Sequence, residues 1–185
     1  MNTCLSANGP APADRTLVVM GVSGSGKSDI SQAIAAELGW RHIEADLFHP
    51  RENVERMRAG IPLSDADRVH WLDALIVEMQ AAQAAGQGFV LACSALKRVY
   101  RDRIREQAGD VCFVFLDGEF ELIQKRMHQR VGHYMQPGLL DSQFRTLEKP
   151  QADENDVIRL PITEPVQDMV EQALNALHTR LHPAL

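Results

Sequence analysis

The chain lacks the features that would send it across a membrane, out of the cell or onto a nucleic acid. No apolar run approaches the eighteen or so residues of a membrane span. The first residues do not follow the basic, then apolar, then small-residue order of a secretion signal. A cytoplasmic protein is therefore expected. Basic residues are outnumbered, 19 against 25 acidic, for a net charge of -6. That balance disfavours a general nucleic-acid or anionic-membrane binder and points to a small partner. Cysteine is scarce. Cys4, Cys93 and Cys112 are widely spaced, which suits neither a disulfide framework nor a zinc cluster. Cys93 and Cys112 lie inside apolar runs and read as small buried hydrophobes, with a catalytic thiol as the alternative. Internal repeats and low-complexity tracts are also missing.

What is present is enough for one well-packed domain: 185 residues, 45% of them hydrophobic. Residues 1–15, with Pro10 and Pro12 and no periodicity, read as a disordered leader. From Thr16 to the end, short apolar runs alternate with stretches of helical spacing, the pattern of a parallel sheet wrapped by helices. Strands are expected at 16–20, 41–45, 88–93, 111–116 and 157–160.

The most informative stretch is Gly21-Val22-Ser23-Gly24-Ser25-Gly26-Lys27-Ser28, a full match to the phosphate-binding loop G-x-x-x-x-G-K-[ST]. It sits between a β-branched apolar run and a helical stretch, the order that the motif requires. Its glycines let backbone N–H groups wrap an anion at the positive end of the following helix. Lys27 then reaches the β- and γ-phosphates of ATP, and the Ser28 hydroxyl sits on Mg²⁺.

The second strand runs into Glu44 and Asp46, which at i and i+2 would share one face beyond the carboxyl end of the sheet, where open parallel sheets bind ligands. Asp46 suits an acceptor hydroxyl, and Glu44 a metal's water shell or merely a solvated strand end. A flap is expected over about 47–63. Ser64-Asp65-Ala66-Asp67 starts a helix whose Val69, Leu72, Leu75, Ile76 and Met79 form one stripe, with Arg68 near its start. A standard phosphate-loop NTPase would carry a magnesium-binding Asp at the end of the third strand; here that strand ends Cys93-Ser94. The metal-shell duty shifts toward Ser28, Glu44 and Asp46. Ser94 reads as a cap for the next helix, whose cations form mostly a solvated face, with Lys97 and Arg101 the two placed near a site.

Arg126 and Arg130, four apart on a helix, stack two guanidinium groups just before a loop containing His133. Two arginines there suit a kinase lid, over about 126–147, because bidentate donors meet the spread charge of a transferring phosphoryl group. The last helix, opened by Pro165, has a clean core stripe and reads as structural.

Taken together, MGVSGSGKS, ADLFHP, GIPLSDADRVHWL, ACSALKRVYRDRIR, the segment around RMHQRVGHYM, and LLDSQFRTLEKPQADE resemble the gluconokinase family, over about residues 17–177. The resemblance implies an adenylate-kinase-like α/β fold, usually a homodimer, that phosphorylates D-gluconate at its 6-hydroxyl with ATP and Mg²⁺. By position it implies ATP on residues 21–28 and the acceptor near Asp46 and His49. Arg126, Arg130 and His133 would then form the lid. Arg68, Lys97 and His133, together with Arg51, are the candidates for the substrate carboxylate. Where many relatives carry Asp two residues before the second-strand acid, this chain has Glu44. The alternatives are a related small kinase, acting on shikimate or a nucleoside monophosphate, and a slow regulatory nucleotide switch.

Overall fold

A computed structural model describes residues 16–129 and 137–181. Five parallel strands form one sheet in the order β2-β3-β1-β4-β5: β1 (Thr16–Met20), β2 (Arg41–Glu44), β3 (Phe89–Ala92), β4 (Val111–Asp117) and β5 (Val157–Pro161). All five fall where the apolar runs predict them. The connections are helical: α1 (Lys27–Leu38), α2 (Arg51–Arg58), α3 (Asp65–Ala84), α4 (Arg98–Ala108), α5 (Phe120–Gln129), α6 (Pro137–Thr146) and α7 (Val166–Leu181). The expected α/β, nucleoside-monophosphate-kinase-like arrangement is thereby observed.

Alternation along the central strand builds two cores, because successive side chains point to opposite faces of a sheet. Val18 and Met20 join Trp71, Leu72, Leu75 and Met79 under α3 and α4, while Leu17 and Val19 join Ile30, Ile34 and Met169 under α1 and α7. β1 is buried on both faces, paired with β3 on one side and β4 on the other. The order reverses at β1: the chain leaves it toward β2 on one flank and later reaches β4 on the other. A crevice at the carboxyl ends follows, with the 21–28 loop at its centre.

Several local expectations differ from the structure. β2 stops at Glu44, and 45–48 turns into a short 3₁₀ helix, so Glu44 and Asp46 do not share one strand face. On α3 the stripe includes Trp71, whereas Val69 is 39% exposed. Ser64 does cap that helix, and its reciprocal partner is Asp67. Ser94 caps nothing: α4 begins at Arg98, whose N–H donates to Glu148 Oε2 at 2.7 Å. Arg101 is completely buried rather than near a site or on a solvated face.

Candidate active site

The loop after β1 is held open by backbone geometry that only glycine adopts freely. Gly24 and Gly26 have φ of 80° and 100°, in the left-handed region. A side-chain carbon at Gly24 would also lie 2.6 Å from Met127 Cγ. Gly26 is the residue immediately before α1, so the loop feeds straight into a helix N-terminus, where unpaired N–H groups attract anions. Ser25 is fully buried, and its hydroxyl has no partner among the described residues. A concave, amide-lined turn with an orphaned hydroxyl fits the phosphate chain of a nucleotide.

Lys27 leans back over this turn, its Nζ donating to the Val22 carbonyl at 3.1 Å. Burial pushes its ammonium below its ordinary pKa, and the carboxylates of Asp46 and Glu44 resist that push. The loop lysine and the acids at and just beyond the end of β2 therefore act on one another electrostatically. They also line one cleft of about 770 Å³, together with Ser28, His49, Arg68 and Arg126. A cleft of that size suits small-molecule ligands. Among the described residues no three His, Cys, Asp or Glu side chains gather closely enough to hold a metal on their own. A divalent ion here would rest on the Ser28 hydroxyl, phosphate oxygens and water, with Glu44 and Asp46 close by.

One end of the cleft is built by β2, the 3₁₀ turn and the start of α3. Trp71 Nε1 donates to the Ala45 carbonyl at 2.7 Å, which fixes the turn that carries Asp46. His49 stacks on Trp71, ring centroids 4.6 Å apart and planes 8° from parallel. Burial lowers the His49 pKa against the attraction of Asp46, so the ring is neutral at neutral pH, and its Nδ1 is a buried nitrogen without a partner among the described residues. Arg68 crosses from α3, with Nη1 on the Leu63 carbonyl at 2.7 Å. Arg58 lines the same end from α2.

Not every expected residue converges here. Lys97 is not in the cleft lining: its Nζ holds both oxygens of Asp65 at 2.8 and 2.7 Å. Arg51 pairs with Glu55 on the outer face of α2, its side chain 91% exposed. Arg126 lines the cleft, with Nη2 donating to the Ile162 carbonyl at 2.5 Å. Arg130 and His133 lie outside the described residues.

Two contributors escaped the sequence reading. Gln143 on α6 meets the phosphate loop directly, its Oε1 accepting the Ser23 N–H at 2.6 Å. Ser94 lines the cleft and accepts the Gly21 N–H on its carbonyl at 3.3 Å. The next residue, Ala95, is the one non-glycine with positive φ, 40°, among the described residues. Strain of that kind is held by surrounding contacts and gathers at functional sites; here the buried Arg101 Nη1 donates to the Ala95 carbonyl at 3.2 Å.

Comparison with known proteins gives the same picture. A family described as an AAA domain matches residues 17–150. The chain is 42% identical over 165 residues to the thermosensitive gluconokinase of Escherichia coli (strain K12), covering 89% of this chain and 88% of that protein. A crystal structure of a gluconokinase from Sinorhizobium meliloti 1021 superposes with a TM-score of 0.84 at 42% identity, covering 93% of this chain and 96% of the other. The APS kinase CysC of Mycobacterium tuberculosis, at 20% identity and a TM-score of 0.63, shares the fold.

Proposed function

The chain belongs to the gluconokinase family, and we propose that it transfers the γ-phosphoryl group of ATP to the 6-hydroxyl of D-gluconate, giving 6-phospho-D-gluconate and ADP. The observation that carries this reading is the placement of Asp46 and Lys27 in one cleft, with the carboxylate opposing the lysine's loss of charge. A hydroxyl brought between them has a proton acceptor on one side and the phosphate cradle on the other.

The reaction is an in-line displacement. The C6 oxygen forms the new bond to phosphorus, and the bridging oxygen leaves with ADP and its electron pair. The hydroxyl proton passes to the Asp46 carboxylate. Holding both substrates in that alignment supplies much of the rate. Lys27 and the loop amides neutralise charge on the phosphoryl oxygens. Mg²⁺, held through Ser28 and water with Glu44 nearby, would supply further charge neutralisation. Arg126 and Arg130 close over the transferring group in this reading, which requires Arg126 to leave the Ile162 carbonyl.

The acceptor's carboxylate needs a cation at the far end of the cleft. Arg68 suits it: it lines the cleft, with Nη1 on the Leu63 carbonyl at 2.7 Å and the Asp65 carboxylate farther off, at 3.8 Å. Lys97 is less suited, because Asp65 already takes its ammonium. Neutral His49, with its unshared Nδ1, suits a hydroxyl of the polyol chain.

The test is ATP consumption coupled to product detection with gluconate, shikimate and AMP as acceptors. Rapid turnover with gluconate and none with the other two is expected. Turnover with shikimate or AMP instead would reassign the acceptor, and slow hydrolysis indifferent to all three would make the protein a nucleotide switch.

A further inference from the structure

Gln143 is 120 residues from Ser23 in the chain, yet its side-chain amide engages that residue twice. Oε1 accepts the Ser23 N–H at 2.6 Å, and Nε2 donates to Ser23 Oγ at 3.0 Å. A primary amide is matched to this pair, one acceptor and one donor side by side; leucine offers neither and glutamate offers no donor. Ser23 occupies a sensitive place in the loop. Its predecessor Val22 carries the carbonyl that receives Lys27, and its successor Gly24 is the left-handed glycine packed beneath Met127.

Helix α6 is itself well anchored. Leu140 is buried in the core beneath α1 and α7. At the other end, the Glu148 N–H donates to the Leu96 carbonyl at 2.8 Å, and Leu147 packs against both cores. Ser142, Gln143 and Thr146 from this helix all line the cleft. The amide therefore joins a fixed helix to the third residue of the phosphate loop, on the side facing the cleft.

We propose that Gln143 is a positioning residue for phosphoryl transfer: by clamping the Ser23 peptide against α6, it sets the shape of the phosphate loop and screens the transferring group from water. The proposal rests on the kinase reading above. It separates two properties of the loop. Affinity for ATP draws on Lys27 and on the loop amides around the phosphates, of which Gln143 engages that of Ser23 alone. Alignment of the γ-phosphoryl group, and its preference for the sugar hydroxyl over water, depend on a loop that does not shift.

Three variants of the full chain test it: Gln143→Leu removes both contacts at similar volume, Gln143→Glu keeps the acceptor for the Ser23 N–H, and Ser23→Ala removes the hydroxyl contact alone. For Gln143→Leu we expect kcat with gluconate to fall about tenfold or more, KM for ATP to change by less than about threefold, and ATP consumed per product formed to rise above one. Gln143→Glu and Ser23→Ala should fall between it and the wild type. Amide hydrogen exchange of the loop without ligand should quicken in the leucine variant at unchanged melting temperature. Wild-type kcat and coupling in that variant would overturn the proposal. So would equal losses in kcat and in ATP affinity, or a lowered melting temperature with coupling intact. The exchange readout involves no acceptor, so a wild-type protein inert toward gluconate would overturn the proposed function and leave the clamp separately measurable.

Discussion

Arg101 and Glu154 meet as a buried, two-pronged ion pair, Nε to Oε2 and Nη2 to Oε1, both at 2.7 Å. Each side chain is 1% exposed. The pair fastens α4 to the segment before β5 while Arg101 also supports the strained Ala95 carbonyl. Burial penalises both charges, and without Arg101 the buried Glu154 keeps only Arg105 Nη2 at 2.9 Å and the Gln151 N–H at 3.1 Å. Arg101→Met should lower the unfolding free energy by about 3–5 kcal/mol, measured by urea denaturation. An unchanged midpoint and slope would show that the pair adds nothing to stability.

The same pair makes stability depend on acid. Hydrogen bonds from Arg101, opposed by burial and assisted by Arg105 and the Gln151 N–H, hold the Glu154 carboxyl at about 2 instead of 4.5. In the unfolded chain this group takes up its proton near 4.5, while the folded chain resists protonation until about 2. Its contribution is therefore complete above pH 4.5 and drains away as the pH falls toward 2. Melting temperature against pH should fall below 4.5, and more shallowly in Glu154→Gln. Parallel curves for the two proteins would remove Glu154 as a source of acid sensitivity.

Asp46→Asn keeps the shape of the turn after β2 and removes the proposed proton acceptor. Turnover with gluconate should drop about 10²–10⁴-fold, the usual worth of a positioned acid or base. ATP affinity by calorimetry should stay within a few fold, since the asparagine leaves the loop intact. Wild-type turnover would take Asp46 out of the chemistry.

Arg126→Ala removes the side chain that lines the cleft and binds the Ile162 carbonyl. We expect kcat to fall by about tenfold or more with a smaller change in KM for ATP, the mark of an interaction made chiefly in the transition state. Equal losses would make Arg126 a static part of nucleotide binding.

Gly24→Ala adds a carbon where φ is 80° and Met127 Cγ would be 2.6 Å away. Both the backbone and the overlying methionine must shift, so ATP affinity should weaken by at least about tenfold, roughly 1.4 kcal/mol. Undiminished affinity would mean that the loop binds nucleotide in a different shape from the one described.

What the sequence discloses depends on how far apart the cooperating residues lie. The phosphate loop is legible because its eight residues are contiguous and their spacing carries the chemistry. β1, β3 and β4 are legible because burial on both faces leaves continuous apolar runs. Arg101 is not: it sits among arginines spaced as on a solvated helix, and the carboxylate that justifies its burial is 53 residues away. Gln143 is hidden for the same reason, being an ordinary polar residue of a short helix until the fold sets it against Ser23. The N-terminus of α4 misleads because Glu148, a remote side chain, occupies its first N–H in place of a local cap. Lys97 reads as available for a substrate because nothing local reveals that Asp65, 32 residues earlier, already holds it.

The strand order has a bearing on how such an enzyme diversifies. The nucleotide grip hangs from the innermost strand, braced by neighbours on both flanks, whereas Asp46, His49 and the α2 arm hang from β2 at the margin of the sheet. With the acceptor held at that margin, as proposed, exchanges there would act on the choice of alcohol and leave the backbone pairing of β1 in place. On that reading the 47–63 segment is the place to graft a new acceptor preference onto this scaffold.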